Sequence, residues 1–291
     1  GSNRYMIHES LVLYYHHVPQ LFHGMLDPVE SLYAATAFFK TLLQLLICLM
    51  LAAYIMGAFA WRDWRYWLAA LCVSAFIQVF GFRSQMGIID SSIVYTFFYA
   101  FPLTLLLGFF YPWYRLLVWG NEGEGFMSVW QQLVWGILAV FLAFSGPLVG
   151  PLAVFSCGGL LAYFFIFKKK TRPSGAGLLL FFLLLNVYSM YVGTFNIENG
   201  KGPSILARYA LLPQGLAEMM FKKLGWPLML LTTIAGLVLF WKNDLHVEYP
   251  RLWRFFGVLA LLIAAFTLLL PLGGYRPYRP FILRYDTFMP G

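Results

Sequence analysis

The chain has 291 residues, of which 61% are hydrophobic, 20% aromatic and only 11% charged, against roughly 45–50% apolar and 25% charged in an ordinary soluble domain. So few charges cannot cover a water-soluble fold, and no stretch between the apolar runs is long enough to form a separate soluble core, so the chain reads as one membrane domain. Twenty lysines and arginines against 12 acids, a net charge of +8, suit anionic head groups or a phosphate-bearing ligand, and equally the positive loops of an inner leaflet.

The chain opens on Gly1-Ser2-Asn3, without an initiator Met or the basic start and short apolar core of a signal peptide, and it closes on Met289-Pro290-Gly291 after a turn-rich stretch. We expect a fragment cut at both ends. Leu11, Tyr14, Tyr15, Val18 and Phe22 recur at helical spacing with His16, Gln20 and His23 on another face, which predicts a helix lying on the membrane surface. Asp27-Pro28-Val29-Glu30 then offers an N-cap, a proline at the first helical position and an acid at the third. It starts a helix outside the membrane that becomes the first span.

A crossing needs about 20 apolar residues. The windows that qualify are 38–60, 64–80, 93–111, 129–144, 147–167, 176–195, 226–241 and 255–272, the second, fourth and seventh being short. The expected fold is therefore all-α, a polytopic transmembrane bundle of about eight spans with interfacial amphipathic helices. Residues 1–37 form an exterior segment and 273–291 an exterior tail. Asp90-Ser91-Ser92 resembles a cap for the third span, and Ser145-Gly146-Pro147 breaks the chain between the fourth and fifth. Trp61, Trp64, Trp67, Trp113, Trp119 and Trp253 stand near span ends, where indole prefers the interface. A second surface helix is expected around Ile205, Leu206, Tyr209 and Leu212, continuing at Leu216, Met219 and Met220 beyond a break at Pro213. Cys48, Cys72 and Cys157 all fall inside apolar runs and read as packing residues.

Lys168-Lys169-Lys170-Thr171-Arg172 is the densest positive loop and fixes its side as cytoplasmic. Alternation then gathers the unusual polar residues on the exterior. His8, Glu9, His16, His17 and His23 precede the first span, and Arg83, Gln85 and Asp90 follow the second. Asn196, Glu198, Asn199, Lys201 and Arg208 follow the sixth, and Arg276, Arg279, Arg284 and Asp286 stand in the tail.

In the tail, Tyr275-Arg276-Pro277-Tyr278-Arg279-Pro280 and then Arg284 combine guanidinium forks, rigid prolines and aromatic rings. Such a segment can grip phosphate or stack a sugar, and it equally suits an interfacial anchor. Arg83 and Asp90 share a compact loop and can pair or meet a ligand. The histidines have no metal-site spacing, since adjacent His16 and His17 point apart on a helix. Within the spans, Lys40 and Gln44 share one helical face, and Asn186 and Ser189 lie in the sixth window. No phosphate-binding glycine loop, nucleophile elbow, HExxH or CxxC pair is present, so no cofactor or metal is expected. The scattered basic residues also argue against nucleic acid as a partner.

Many spans, short cytoplasmic loops, longer exterior loops with surface helices and an exterior acid together resemble the layout of the polytopic GT-C glycosyltransferases, and more generally that of bacterial inner-membrane proteins. The likeness covers layout and no specific motif. It implies transfer of a sugar from a polyprenyl-phosphate carrier at the exterior face, with membrane lipids as the surroundings. Arg83, Arg276, Arg279, Arg284, Tyr275 and Tyr278 would then hold substrate, and Glu9 or Asp90 would act as base. In that family the catalytic acid follows the first span directly. Here Glu9 and Asp27 precede the first visible span, which fits only if an upstream span is missing. Two other readings stay open: a transporter or lipid flippase with a path lined by Lys40, Gln44, Asn186 and Ser189, and a non-catalytic membrane subunit.

Overall fold

The computed structural model describes residues 2–77, 92–119, 127–146, 148–166, 173–195, 203–222, 225–273 and 281. Of the described residues 88% are helical and none is in a strand. Helix α1 (Tyr5–His17) leads through a short 3-10 turn (Pro19–Phe22) to α2 (Pro28–Met56). The Asp27 carboxylate accepts the backbone N–H groups of Val29 and Glu30, each at 2.8 Å, with Pro28 in the first turn. Two donors that a helix start leaves unpaired are thereby satisfied, and negative charge meets the positive end of the helix dipole. The 29 residues of α2 reach roughly 43 Å, beyond ~30 Å of hydrocarbon. The helix is thus longer than a crossing needs, and it starts at the Asp27 cap that the sequence predicts.

The next helices are α3 (Trp64–Ile77), α4 (Ile93–Trp119), α5 (Val129–Ala143), α6 (Val149–Ile166) and α7 (Pro173–Thr194). They are followed by α8 (Ile205–Lys222), α9 (Gly225–Lys242) and α10 (Pro250–Leu269). Within α4 the turns Thr96–Ala100 and Arg115–Trp119 are widened to π-helix. Pro102 and Pro112 lie beside these turns, where the missing proline N–H interrupts the regular ladder. Ser128 opens α5 with a capping box shared with Gln131. Gly146, at φ 125°, makes the sharp break between α5 and α6.

Five helices are long and apolar enough to cross a membrane: Pro28–Met56, Ile93–Trp119, Val149–Ile166, Gly175–Thr194 and Pro250–Leu272. The protein is thus an integral, multi-pass membrane protein. All of the apolar windows read from the sequence fall on helices, but three of these are short. α3 and α5 have 14 and 15 residues, roughly 21–23 Å, and the apolar part of α9 is Leu230–Lys242.

Helix α4 is the hub. It packs on α2, α5 and α6, and its last turn meets α10, while α7 lies mainly against α6, α5 and residues 2–4. One aromatic and aliphatic core joins α4, α5, α6 and α7 around Phe109, Trp113, Cys157, Leu179 and Phe182. A second joins α1, α2 and α4 through the parallel rings of Phe39 and Phe97, 3.9 Å apart. The most apolar windows of α2 and α4 are each 39% buried, whereas that of α10 is 11% buried. α10 is therefore a peripheral helix with most of its surface turned to lipid.

Three sequence expectations change. Trp113 is 1% exposed and stacks on Phe109 at 5.1 Å, so it is core rather than interface, because it lies on the face of α4 that packs against α5, α6 and α7. Pro213 lies inside a continuous α8 and does not break it, since one proline removes a single backbone bond while the flanking turns hold. Helix α1 is not merely laid on lipid: Ile7 is fully buried, and the Tyr14 hydroxyl donates to the Ala35 carbonyl at 2.7 Å. Burial, reinforced by neighbouring Tyr15, pushes the Tyr14 phenol up to about 12.

Candidate functional site

The two ends of the bundle can be told apart by their contacts. At one end the Met6 N–H donates to the Phe144 carbonyl at 3.2 Å, Tyr14 packs on Phe97, and Tyr209 of α8 donates to the Leu268 carbonyl at 2.8 Å. At the other, the Tyr114 hydroxyl donates to the Tyr54 carbonyl at 2.8 Å and the Tyr114 ring meets Phe255 at 5.1 Å. This second end joins the last turns of α2 and α4 to the first turn of α10.

A cavity of about 260 Å³ runs inward from the second end, between α4, α6 and α10, with Tyr54 of α2 at its side. Its walls are almost wholly apolar: Leu103, Leu107 and Phe110 from α4, Leu152 and Leu160 from α6, and Leu259 and Leu262 from α10. The face of α6 turned to it carries Leu152, Ser156, Gly159 and Tyr163, spaced at i, i+4, i+7 and i+11. Ser156 and Gly159 put little side-chain volume into this wall, and a Cβ at Gly159 would already touch Leu262 of α10 at 3.5 Å.

Arg251 and Arg254, in the first five residues of α10, line the cavity and are exposed. The first turn contains no acidic residue, so two guanidinium groups stand at the positive end of a helix dipole. Neither arginine forms an ion pair among the described residues. The nearest acid in sequence, Glu248, is engaged by the Tyr249 hydroxyl and holds that phenol up. An apolar slot with a cationic rim is complementary to an amphiphile with an anionic head.

The rim is rigid on its α2 and α4 side. Tyr54 donates to the Leu107 carbonyl at 2.7 Å, and Tyr66 of α3 donates to the Leu49 carbonyl at 2.8 Å. Gly57 ends α2 at φ 71°, and the Trp119 indole lies so close over it that an added Cβ would overlap the ring. Only glycine fits both the backbone and the contact.

Of the sequence candidates, Glu9 is described. It lies on α1, partly exposed, with its Oε1 3.9 Å from Nδ1 of the adjacent His8. Tyr14, five residues on, is anchored at Ala35, and Tyr54 at the cavity rim is 19 residues farther along α2, roughly 28 Å. Glu9 and the cavity rim are thus at opposite ends. Arg83, Asp90, Tyr275, Tyr278, Arg276, Arg279 and Arg284 lie outside the described residues, as does the cluster 168–172. The His16 and His17 rings meet edge-on at 4.7 Å, and no group of three His, Cys, Asp or Glu side chains converges among the described residues. Asn186 and Ser189 are buried in α7, where Asn186 donates to the Phe182 carbonyl at 2.8 Å. Lys40 and Gln44 belong to α2, and none of these four lines the cavity.

Comparison with known protein families, curated proteins and solved structures finds no match for this chain. Fold and site together define a class: a multi-pass helical membrane protein with an apolar inter-helix cavity rimmed by arginine.

Proposed function

We propose that this protein binds a membrane lipid made of a single long apolar chain and a phosphate head, a polyprenyl phosphate being the chemical type. The observation that carries this reading is the cavity between α4, α6 and α10 with Arg251 and Arg254 at its rim. A single narrow slot suits one isoprenoid chain better than the paired chains of a phospholipid. Guanidinium forks suit the phosphate oxygens. The membrane would be a bacterial inner membrane crossed about eight times, the short helices α3, α5 and α9 being accommodated by local thinning of the bilayer.

Thermal unfolding in nanodiscs of neutral lipid, titrated with decaprenyl phosphate, tests the reading. Ligand that binds only the native state adds about 2.7 kcal/mol at a hundredfold excess over Kd. We expect a saturable rise that is lost in the Arg251→Ala, Arg254→Ala double variant. No rise, or an equal rise with phosphatidylglycerol, would refute it.

Transfer of a sugar from such a carrier is the activity that the GT-C-like layout adds. It predicts turnover of a polyprenyl-phosphate sugar whose base is an acid at the cavity end, since Glu9 stands at the opposite end from the rim. Binding without turnover would leave a flippase or transporter of the same lipid.

A further inference from the structure

The cavity between α4, α6 and α10 has a definite length as well as a polar mouth. Its α6 wall runs from Tyr163 near the mouth to Leu152 inside, and its α10 wall from Arg251 to Leu262. Each covers the same stretch of helix, about 16 Å at 1.5 Å per residue. An extended chain advances roughly 1.2 Å per bond, so about three isoprene units of four chain bonds each span the slot. Volume bounds the chain independently. An apolar cavity of about 150 Å³ takes one benzene, so the space here takes about ten carbons, or two units. The two bounds agree for one chain lying along the slot and leave no room for a second.

The inner end is closed by aromatic rings. Phe255, Leu259 and Leu262 line the slot from one stripe of α10, and Phe266, one turn farther, continues that stripe. Phe266 does not border the cavity. It is only 7% exposed, and its ring meets that of Phe155 on α6 edge-on at 6.5 Å. Phe155 stands one turn from Gly159, the residue opposite Leu262. The antiparallel helices α6 and α10 therefore stay together from Gly159 and Leu262 inward to Phe155 and Phe266. Where the stripe passes Leu262, two rings fill the seam that is open nearer the mouth.

We infer that this slot measures the chain of the carrier: it holds about two or three isoprene units next to the phosphate, and the Phe155–Phe266 pair sets that limit. This rests on the lipid-binding reading above and deepens it. A carrier of three units places the end of its chain at Leu103, Leu152 and Leu262, the inner residues of the slot. In a longer carrier the units beyond the third lie outside the slot, in the bilayer. The protein thus reads the head and the first units and is indifferent to the length beyond them.

The test uses polyprenyl phosphates of six units that carry a diazirine on either the second or the fourth unit from the head, cross-linked to the intact chain in neutral nanodiscs. The second-unit probe should label cavity residues of α4, α6 and α10, and the fourth-unit probe should label them about tenfold less. Phe266→Ala removes a ring of about the size of one isoprene unit, so the fourth-unit probe should now label Leu103, Leu152 and Phe155. Phe155→Ala opens the same seam from α6 and should act alike. Equal slot labelling by both probes in the wild type would overturn the inference, as would a fourth-unit probe that stays outside the slot in both folded variants. Either result leaves the lipid-binding reading standing, because the second unit is still found in the slot. No slot labelling by either probe would overturn both. Unlabelled farnesyl phosphate, three units long, should compete with the second-unit probe as well as decaprenyl phosphate does at equal membrane concentration. Competition about tenfold weaker would show that the units beyond the third are read, and the inference would fail.

Discussion

Helix α6 has two faces that pack in opposite ways. Ala153, Cys157 and Phe164 point into the α4–α5–α7 core, where Phe109, Leu179 and Phe182 close around them and Cys157 is fully buried. One position earlier at each step, Leu152, Ser156 and Tyr163 point toward α10 and border the cavity. The same helix thus makes one dry, filled seam and one open seam. Between helices in a membrane there is little hydrophobic drive, so close packing decides which contacts are tight. The open seam lies where Ser156 and Gly159 leave side-chain volume unfilled beside α10, and Arg251 and Arg254 make its mouth polar.

This contrast can be broken from either side. The largest effect is expected for Phe182→Ala in the filled seam, a loss of about 3–5 kcal/mol, read by reversible unfolding in detergent or nanodiscs. A loss below about 1 kcal/mol would show the filled seam to be no tighter than the open one. A sharper comparison uses neighbours in sequence. Cys157→Leu should cost about 1–3 kcal/mol by overpacking, whereas Ser156→Leu should change stability by less and yet abolish the shift given by decaprenyl phosphate. If both substitutions destabilise alike, the cavity is not an accommodating space.

Smaller still, Arg251→Ala with Arg254→Ala should lie within about 0.5 kcal/mol of wild type when no lipid is added, because both residues are exposed and unpaired among the described residues. A large intrinsic loss would make them structural. The smallest effect belongs to the opposite end of the bundle. The Tyr14 phenol is raised to about 12 by burial, so folding retains its proton where the unfolded chain releases it near pH 10. Its contribution is complete below pH 10 and is lost as pH rises toward 12. Tyr14→Phe should therefore flatten the alkaline limb of a stability profile, and an unchanged limb would remove Tyr14 as its cause.

Helix positions were legible in the sequence because apolar windows of spanning length have few other outcomes. The Asp27 cap was legible because its pattern is local, and the capping box at Ser128 and Gln131 is equally visible as S-x-x-Q. Which face of a helix packs was not legible. α6 is apolar on all sides, so periodicity cannot separate the Cys157 face from the Ser156 face. For the same reason Trp113, placed near a span end by its sequence position, belongs to the core. The cavity draws on α4, α6 and α10, separated by long stretches of chain, and no local motif encodes it. Arg251 and Arg254 carried one usable signal, an R-x-x-R pair directly after a helix-starting proline.

The central claim is that a lipid chain occupies the α4–α6–α10 cavity with its head at Arg251 and Arg254. Photolabelling tests it most directly, using a polyprenyl phosphate with a diazirine near the far end of its chain and mapping the labelled peptides of the nanodisc-embedded protein. The account predicts labels concentrated on Leu103, Leu107, Leu152 and Leu262, and reduced when Ser156 is replaced by Leu. Labels confined to the outward residues Leu261 and Leu268, which face lipid at 69% and 57% exposure, would contradict it.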